Sequence, residues 1–506
     1  MVSCPDGWKG ASQRTHATRK RDGCRRSFGQ RAEAVQSFSG QVWVMGAAIP
    51  EKRKHTPGVG TLLGDPRKAV VKLSIPLVVA MSTQTLYNLV DAIWVSGLGA
   101  SALSAVGFLF PFILMVMAIA NGIGTGGGAA ISRTIGAHDK EGTDRVASHT
   151  IVIMLICAVL VTLILLLFCR PLFRWMGAGT VLDLAVEYAN IIFSGILFIF
   201  FVQVAVAILK SEGDAKRAMY AMGAGAVLNI VLDPIFIYGF GLGVAGAAWA
   251  TVLSMLVVST TCFYWLFLER KTHVAFKFKG FAFDGNILRE IGRVAFPDSV
   301  SQMSMALMTA VLIFFVAAVG GSDGVAVYIT GWRIISLAIL PILGVGSALT
   351  SVSAAAFGNR NYRNIRISYL YALKVSVWVE CLLVLILFLF AKPISWIFTL
   401  SNEAASISDD LTLFLKILSF SLPAVAFGML SAALFQGVGK GINALVMTLV
   451  RTFVFTVPTV WFLGVYREGG LRGMWIGMVV AVFAYIPLAF GWALLHMRNL
   501  EKQTNP

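Results

Sequence analysis

The stretch SIPLVVAMSTQTLYNLVDAIWV (74–95) decides how this chain is read. It is long and apolar enough for a helix that crosses a bilayer, which needs about 20 such residues. Its single charge, Asp91, is the only Asp, Glu, Lys or Arg between residues 73 and 132. A second such stretch has Asp233, followed at once by Pro234, as its only charge between 218 and 268. Both runs are too apolar and too long for a soluble core, so both acids lie within or beside a bilayer. A carboxylate there costs about 2.5–3.5 kcal/mol on insertion scales. Binding of a proton or a cation is the role that fits. The competing reading is an Asp-Pro pair that only caps a helix bend.

Composition places the rest of the chain in the same setting. Of 506 residues, 57% are hydrophobic and 13% charged, with a mean hydropathy of +0.79, far from globular averages. The apolar runs are continuous instead of alternating every second residue, which disfavours a β-barrel. A net charge of +16 raises nucleic-acid binding, but 13 of the 41 basic residues fall in the first 68 and the others mostly decorate loops. No nucleic-acid partner is expected. The six cysteines form no CxxC or Cys/His pattern, and the six histidines avoid the middles of the apolar runs, so neither zinc nor haem is expected. No nucleophile and base pair is visible either, which argues against an enzyme.

Residues 1–68 are rich in Arg, Lys, Ser and Gly and read as a basic, disordered cytoplasmic tail without a cleavable signal. Translation from Met1 and from Met45 are both compatible with this composition. Twelve spans follow, over 69–95, 102–132, 146–169, 183–209, 217–240, 243–268, 287–318, 325–356, 367–390, 406–435, 441–465 and 472–497. Counting Lys and Arg in the connecting loops gives 16 on one side and 5 on the other. The basic side is cytoplasmic by the positive-inside rule, which puts both termini there and supports an even number of spans. A plasma-membrane (inner-membrane) protein in direct contact with lipid is expected.

The chain also repeats itself. The run from SIPLVVAMSTQ to AAISRTIGAHDKEGTDRV (74–146) matches the run from AFPDSVSQMS to SVSAAAFGNRNYRNIR (295–366). Pro76 pairs with Pro297, Gly136 with Gly358, Pro234 with Pro458 and Trp249 with Trp475. Two six-helix lobes in the same orientation result, 69–268 and 287–497, joined by a linker at 269–286 and followed by a tail at 498–506. Such repeats place ion and substrate sites near the interface of the halves, with alternating access by rocking. The second half has Leu312 and Thr459 or its neighbours where the first has Asp91 and Asp233, so the acidic pair belongs to the first lobe alone.

Both aspartates fall in the outer half of the bilayer at similar depth. Gln84 lies two helical turns before Asp91 on its face, Asn88 one turn before, and Asn229 one turn before Asp233. Pro234 cannot donate to the carbonyl of Ile230, which frees an oxygen and makes a hinge. Carboxylates, amide oxygens and a freed carbonyl suit a hard cation, and close carboxylates also suit a proton carrier.

These residues carry a family resemblance. LYNLVDAIWVSGLG, AISRTIGAHDKEG and NIVLDPIFIYGFGLGVAGAAWAT are similar to the multidrug and toxic compound extrusion (MATE) family, over about residues 66–497. The DP in span five resembles the prokaryotic DinF-type branch. That resemblance implies two six-helix bundles around a V-shaped cleft, exporting organic cations or drugs against inward Na⁺ or H⁺. It also implies a cation site, with Na⁺ as one candidate metal, at Asp91, Asn229, Asp233 and Thr251, with Gln84 close by. The chain lacks the acidic second-lobe residues of the NorM-type branch, and Asp298 reads as a polar helix end. No cofactor beyond the coupling ion is expected. The implied cargo is a small, cationic, amphipathic molecule, and the expected state is a monomer.

Other polar residues have plainer readings. Tyr87, Asn88, Gln203, Arg333, Lys416 and Arg451 are candidates for a cavity wall, against snorkelling or structural pairing for the charged ones. Glu187, Lys374 and Glu380 take the same structural reading. Were Arg333, Lys416 and Arg451 to face the cavity, an anionic or lipid-linked substrate would gain weight, and with it the alternative of a lipid-linked oligosaccharide flippase. NGIGTGGGA (121–129) lacks the GK[ST] ending of a phosphate loop and reads as close helix packing.

Overall fold

The computed structural model describes residues 56–269, 271–399 and 405–503. The expected basic tail and the alternative start at Met45 lie almost wholly outside the described residues. Within them the chain is helical, without strands. After a short α1 (Pro57–Leu62), the first half comprises α2 (Pro66–Ser96), α3 (Ala100–Gly136), α4 (Lys140–Trp175), α5 (Leu182–Ser194) with α6 (Ile196–Ser211), α7 (Ala215–Pro234) and α8 (Gly243–Phe263). The second half begins with α9 (Gly285–Gly358) and α10 (Tyr362–Leu389), then a short α11 (Ala391–Phe398). It continues with α12 (Ser408–Ser419) and α13 (Leu422–Gly437), α14 (Gly441–Leu449), α15 (Val457–Trp461) and α16 (Gly470–Lys502).

Among the described residues nine helices are long and apolar enough to cross a membrane as they stand, and two bent pairs each complete one more crossing. The bends are 45° between α5 and α6 and 52° between α12 and α13. The 74-residue α9 is two helices, because Gly321 breaks it with φ 56° and ψ −150°. Counted so, the spans number twelve. Spans four and ten are bent ones. The bend at Gly195 follows from contact, since a Cβ there would meet Val252 Cγ2 at 2.7 Å.

At the end where α2 begins, five of the six span starts share one chemistry, the exception being the start of α14 after Lys440. Asp65 caps α2, Asp139 caps α4, Asp214 caps α7, Asp284 caps α9 and Asn361 caps α10, each accepting from a backbone amide of the first turn. The repeat extends to backbone conformation: His138 before Asp139 has φ 59°, and its counterpart Arg360 before Asn361 has φ 52°. Outer faces are apolar in a continuous belt, as on α4, where Leu155, Ile156, Val159, Leu160, Leu163, Ile164, Leu167 and Phe168 are all exposed. No water-soluble fold tolerates such a belt, and hydrocarbon does.

The linker between the halves is pinned to the first one. Glu212 accepts from the amides of His273 (2.6 Å) and Val274 (3.2 Å), and Asp144 from that of Ala275 (2.8 Å). His149 Nε2 accepts from the amide of Asp284 at 3.0 Å, just where α9 starts. At the same end α3 and α9 touch backbone to backbone. A Cβ on Gly136 or on Gly358 would lie 1.9 Å from the carbonyl of Ala355 or Arg133 respectively. Arg133 fastens the crossing, with Nε 3.0 Å from Glu290 and Nη1 donating to the carbonyl of Gly437 at 3.1 Å.

Candidate functional site

Two features could carry transport: a carboxyl pair inside the first half, and a cavity where both halves meet. The pair is formed by α2 and α7, which pack side by side. Asp91 is half-buried and Asp233 fully enclosed, and the two carboxyl groups lie close enough to act on each other electrostatically. Two carboxylates that face each other away from bulk water favour a proton or a cation beside them. Asn229 Nδ2 donates to Asp233 Oδ1 and to Thr251 Oγ1, both at 3.3 Å, tying α7 to α8. The structure thus brings together four residues that the sequence could only list.

The pair also fits a cation by its unsatisfied atoms. Asp233 Oδ2 and Asn229 Oδ1 are buried without a partner. With the Asp91 carboxyl and Thr251 Oγ1, the available donors are all oxygens, the set preferred by a hard monovalent or divalent ion. Among the described residues no group of three or more His, Cys, Asp or Glu forms, here or elsewhere. Pro234 stands next to Asp233 and is followed by a π-helical turn, Ile235–Gly239, so the ladder is loosened beside the acid. Tyr87 and Tyr188 lie close enough to feel both carboxylates. Tyr188, from α5, was missed by sequence reasoning, because no spacing links it to α2 or α7. Gln84 is half-buried on α2 with no hydrogen bond among those of the described residues, and Asn88 is exposed.

The cavity measures about 490 Å³ and is lined from both halves. Gln203 and Arg451, both read as cavity candidates, line it; neither aspartate of the pair does. Arg333 is exposed and Lys416 sits 5.6 Å over the Phe388 ring, so neither reaches this wall. Gln203 Nε2 donates to Asn121 Oδ1 at 3.2 Å. Asp298, read as a helix end, is corrected: it lines the cavity and accepts from Gln436 Nε2 at 2.7 Å and Gln302 Nε2 at 3.3 Å. Lys210, counted with loop charges, lines it too. Position along a helix is blind to which face meets the partner lobe, so Asp298 was misread and the cavity role of Lys210 was not foreseen. Of the two charges in span nine, Lys374 is exposed, while Glu380 is enclosed with both carboxyl oxygens unpartnered.

Known proteins match this arrangement in sequence and in shape. The MepA multidrug export protein of Staphylococcus saprophyticus is 28% identical over 82% of this chain and 90% of its own. A FAD transporter of Shewanella oneidensis is 24% identical over 82% and 91%. A solved MATE transporter in complex with MaL6 superposes with a TM-score of 0.87 at 46% identity, covering 88% of this chain and 100% of that one. A MOP superfamily transporter from Pyrococcus furiosus, described as having a binding pocket of reverse polarity that suggests a different function, gives 0.86 at 45% identity over 88% and 99%. The MatE family profile matches residues 76–235 and 297–462, one block in each half. More than half of the chain is covered by that match, and the protein belongs to the MATE family of multidrug efflux transporters, membrane carriers of small molecules and not enzymes.

Proposed function

We propose that the chain is a cation-coupled antiporter in which Na⁺ or H⁺ binds at Asp91 and Asp233 and drives export of small amphipathic compounds by alternating access. The observation that carries this reading is the enclosed carboxyl pair with two orphaned oxygens, Asp233 Oδ2 and Asn229 Oδ1. Asp91, Asn229, Asp233 and Thr251 would hold the ion, and the loosened helix at Pro234 would bend when it binds. The helix crossing at Gly136 and Gly358 would be the closed gate of one state, opened when the lobes rock. Each inward monovalent charge contributes about 2.3 kcal/mol per 100 mV, enough for accumulation of roughly tens-fold.

The same reading places the protein in the plasma membrane with both termini in the cytoplasm. It works as a monomer, since one chain supplies both lobes, and it needs no cofactor beyond the ion. The family resemblance points to organic cations or drugs as cargo. The test is dye efflux from reconstituted proteoliposomes, with Na⁺ and pH gradients imposed separately on wild type, Asp91→Asn and Asp233→Asn. Gradient-driven movement lost in correctly inserted variants is the expected result. Unchanged movement in Asp233→Asn would remove the pair from the mechanism.

A further inference from the structure

We propose that the central cavity recognises an amphiphile carrying an anionic group, a carboxylate or a phosphate, which pairs with Arg451 and Lys210. The proposal rests on the efflux reading but assigns this cavity an anionic cargo in place of the organic cations to which the family resemblance points. Three charged residues line the wall: Lys210 from α6 in the first half, Asp298 from α9, and Arg451 from the π-helical turn Val450–Thr456 in the second half. The wall is therefore basic by one charge. Its one acid is already engaged, because Gln436 and Gln302 both donate to Asp298 and both are neutral. A cationic cargo finds there a carboxylate whose acceptor sites are partly filled.

The two cations are in the opposite situation. Neither Lys210 nor Arg451 belongs to any ion pair among the described residues. Both are half-buried and line the cavity instead of an open surface. A cation held away from bulk water without a counter-charge is costly, and an anion brought by the ligand offsets that cost. The planar fork of Arg451 matches a carboxylate or phosphate with two parallel hydrogen bonds. Around these charges the wall offers Met81, Met305, Met429 and Met447. Thioether side chains adapt to varied apolar shapes, which suits the body of an amphiphile. A volume of about 490 Å³ accommodates a drug-sized molecule.

The discriminating probe is a pair of xanthene dyes, one with a free carboxylate and the other its methyl ester. Equilibrium binding to the detergent-purified full chain is read by fluorescence polarisation. This needs no gradient, so a failure of coupled transport leaves the readout intact. Wild type should prefer the acid, and Arg451→Gln and Lys210→Gln should each lower the acid-to-ester affinity ratio by about tenfold or more. Arg451→Lys should recover part of the ratio by restoring charge without the fork. Equal affinity for the two dyes in wild type overturns the proposal. So does a ratio unmoved by both Gln variants, in protein that elutes as wild type does. An anionic phospholipid carries the same head-group chemistry as a soluble acid. Displacement of the acid dye by phosphatidylglycerol and not by phosphatidylcholine assigns the site to lipid, and displacement by soluble aryl carboxylates alone assigns it to free acids.

Discussion

Gly136→Ala tests the gate most directly. The added Cβ would sit 1.9 Å from the carbonyl oxygen of Ala355, against the 3.4 Å at which ordinary contact begins. That oxygen is backbone in the middle of a helix, so no side-chain rotation relieves the clash. The two helices must instead part by about 1.5 Å at the crossing. Such a shift stretches the Arg133 bonds to Glu290 and to Gly437, now 3.0 and 3.1 Å, beyond hydrogen-bond range. Charge-assisted bonds of this kind contribute roughly 1.5–3 kcal/mol. Glu290 is 41% exposed, so solvent screening reduces its share. A loss of about 1–2 kcal/mol remains, which moves the balance away from the closed crossing by about 5- to 30-fold. Spin labels at Glu141 and Arg363, both exposed near the crossing, would read this as a longer distance population by double electron–electron resonance. A wild-type distance distribution in Gly136→Ala would refute the account of the crossing as a tight, bistable contact.

Three further outcomes are expected. Asn229→Ala removes the donor shared by Asp233 and Thr251, and the coupling-ion concentration for half-maximal transport should rise about tenfold; an unchanged value would exclude Asn229 from the site. Trp475 is 1% exposed and packs its ring 4.7 Å from that of Phe414 and 6.0 Å from that of Tyr328, so Trp475→Ala should cost about 3–5 kcal/mol, seen as a large drop in thermal midpoint in detergent. Burial pushes Glu212, in the turn between α6 and α7, up from 4.5 to about 8 despite the amides of His273 and Val274. The folded state then holds that proton more tightly than the unfolded chain, so this stability is complete below pH 4.5 and lost as pH rises to about 8. Glu212→Gln should flatten the pH dependence of the thermal midpoint over that window, and an unaltered slope would count against it.

Much of the candidate site was legible because the bilayer makes charge conspicuous. Asp91 and Asp233 stood out as single charges in apolar runs, and Asn229 followed from helical spacing on the same face. Thr251 came from family resemblance, since nothing in one sequence says that α8 faces α7. The structure adds the Asn229 bridge that joins them. Asp298 was misread, and the cavity role of Lys210 missed, for a physical reason: near a helix end, a charge that reaches water and one that turns into a cavity have the same sequence context. Arg333, Lys416 and Arg451 looked alike as isolated basic residues in spans, yet only Arg451 of the three lines the cavity.

What the sequence alone determined was whatever the solvent imposes. Spans, their even number and the twofold repeat follow from the cost of leaving polar groups in hydrocarbon, which each segment meets on its own. The repeated turns, with His138 and Arg360 before their capping residues, are equally local. What only the tertiary structure decided was which faces meet. The bends near Gly195 and between α12 and α13, the backbone contact of Gly136 with Ala355, and the shared cavity of Lys210, Asp298 and Arg451 all depend on packing between segments far apart in the chain. In a bilayer, lipid and neighbouring helices are equally apolar, so hydrophobicity cannot say which side of a span is turned inward; close packing and a few polar contacts settle that.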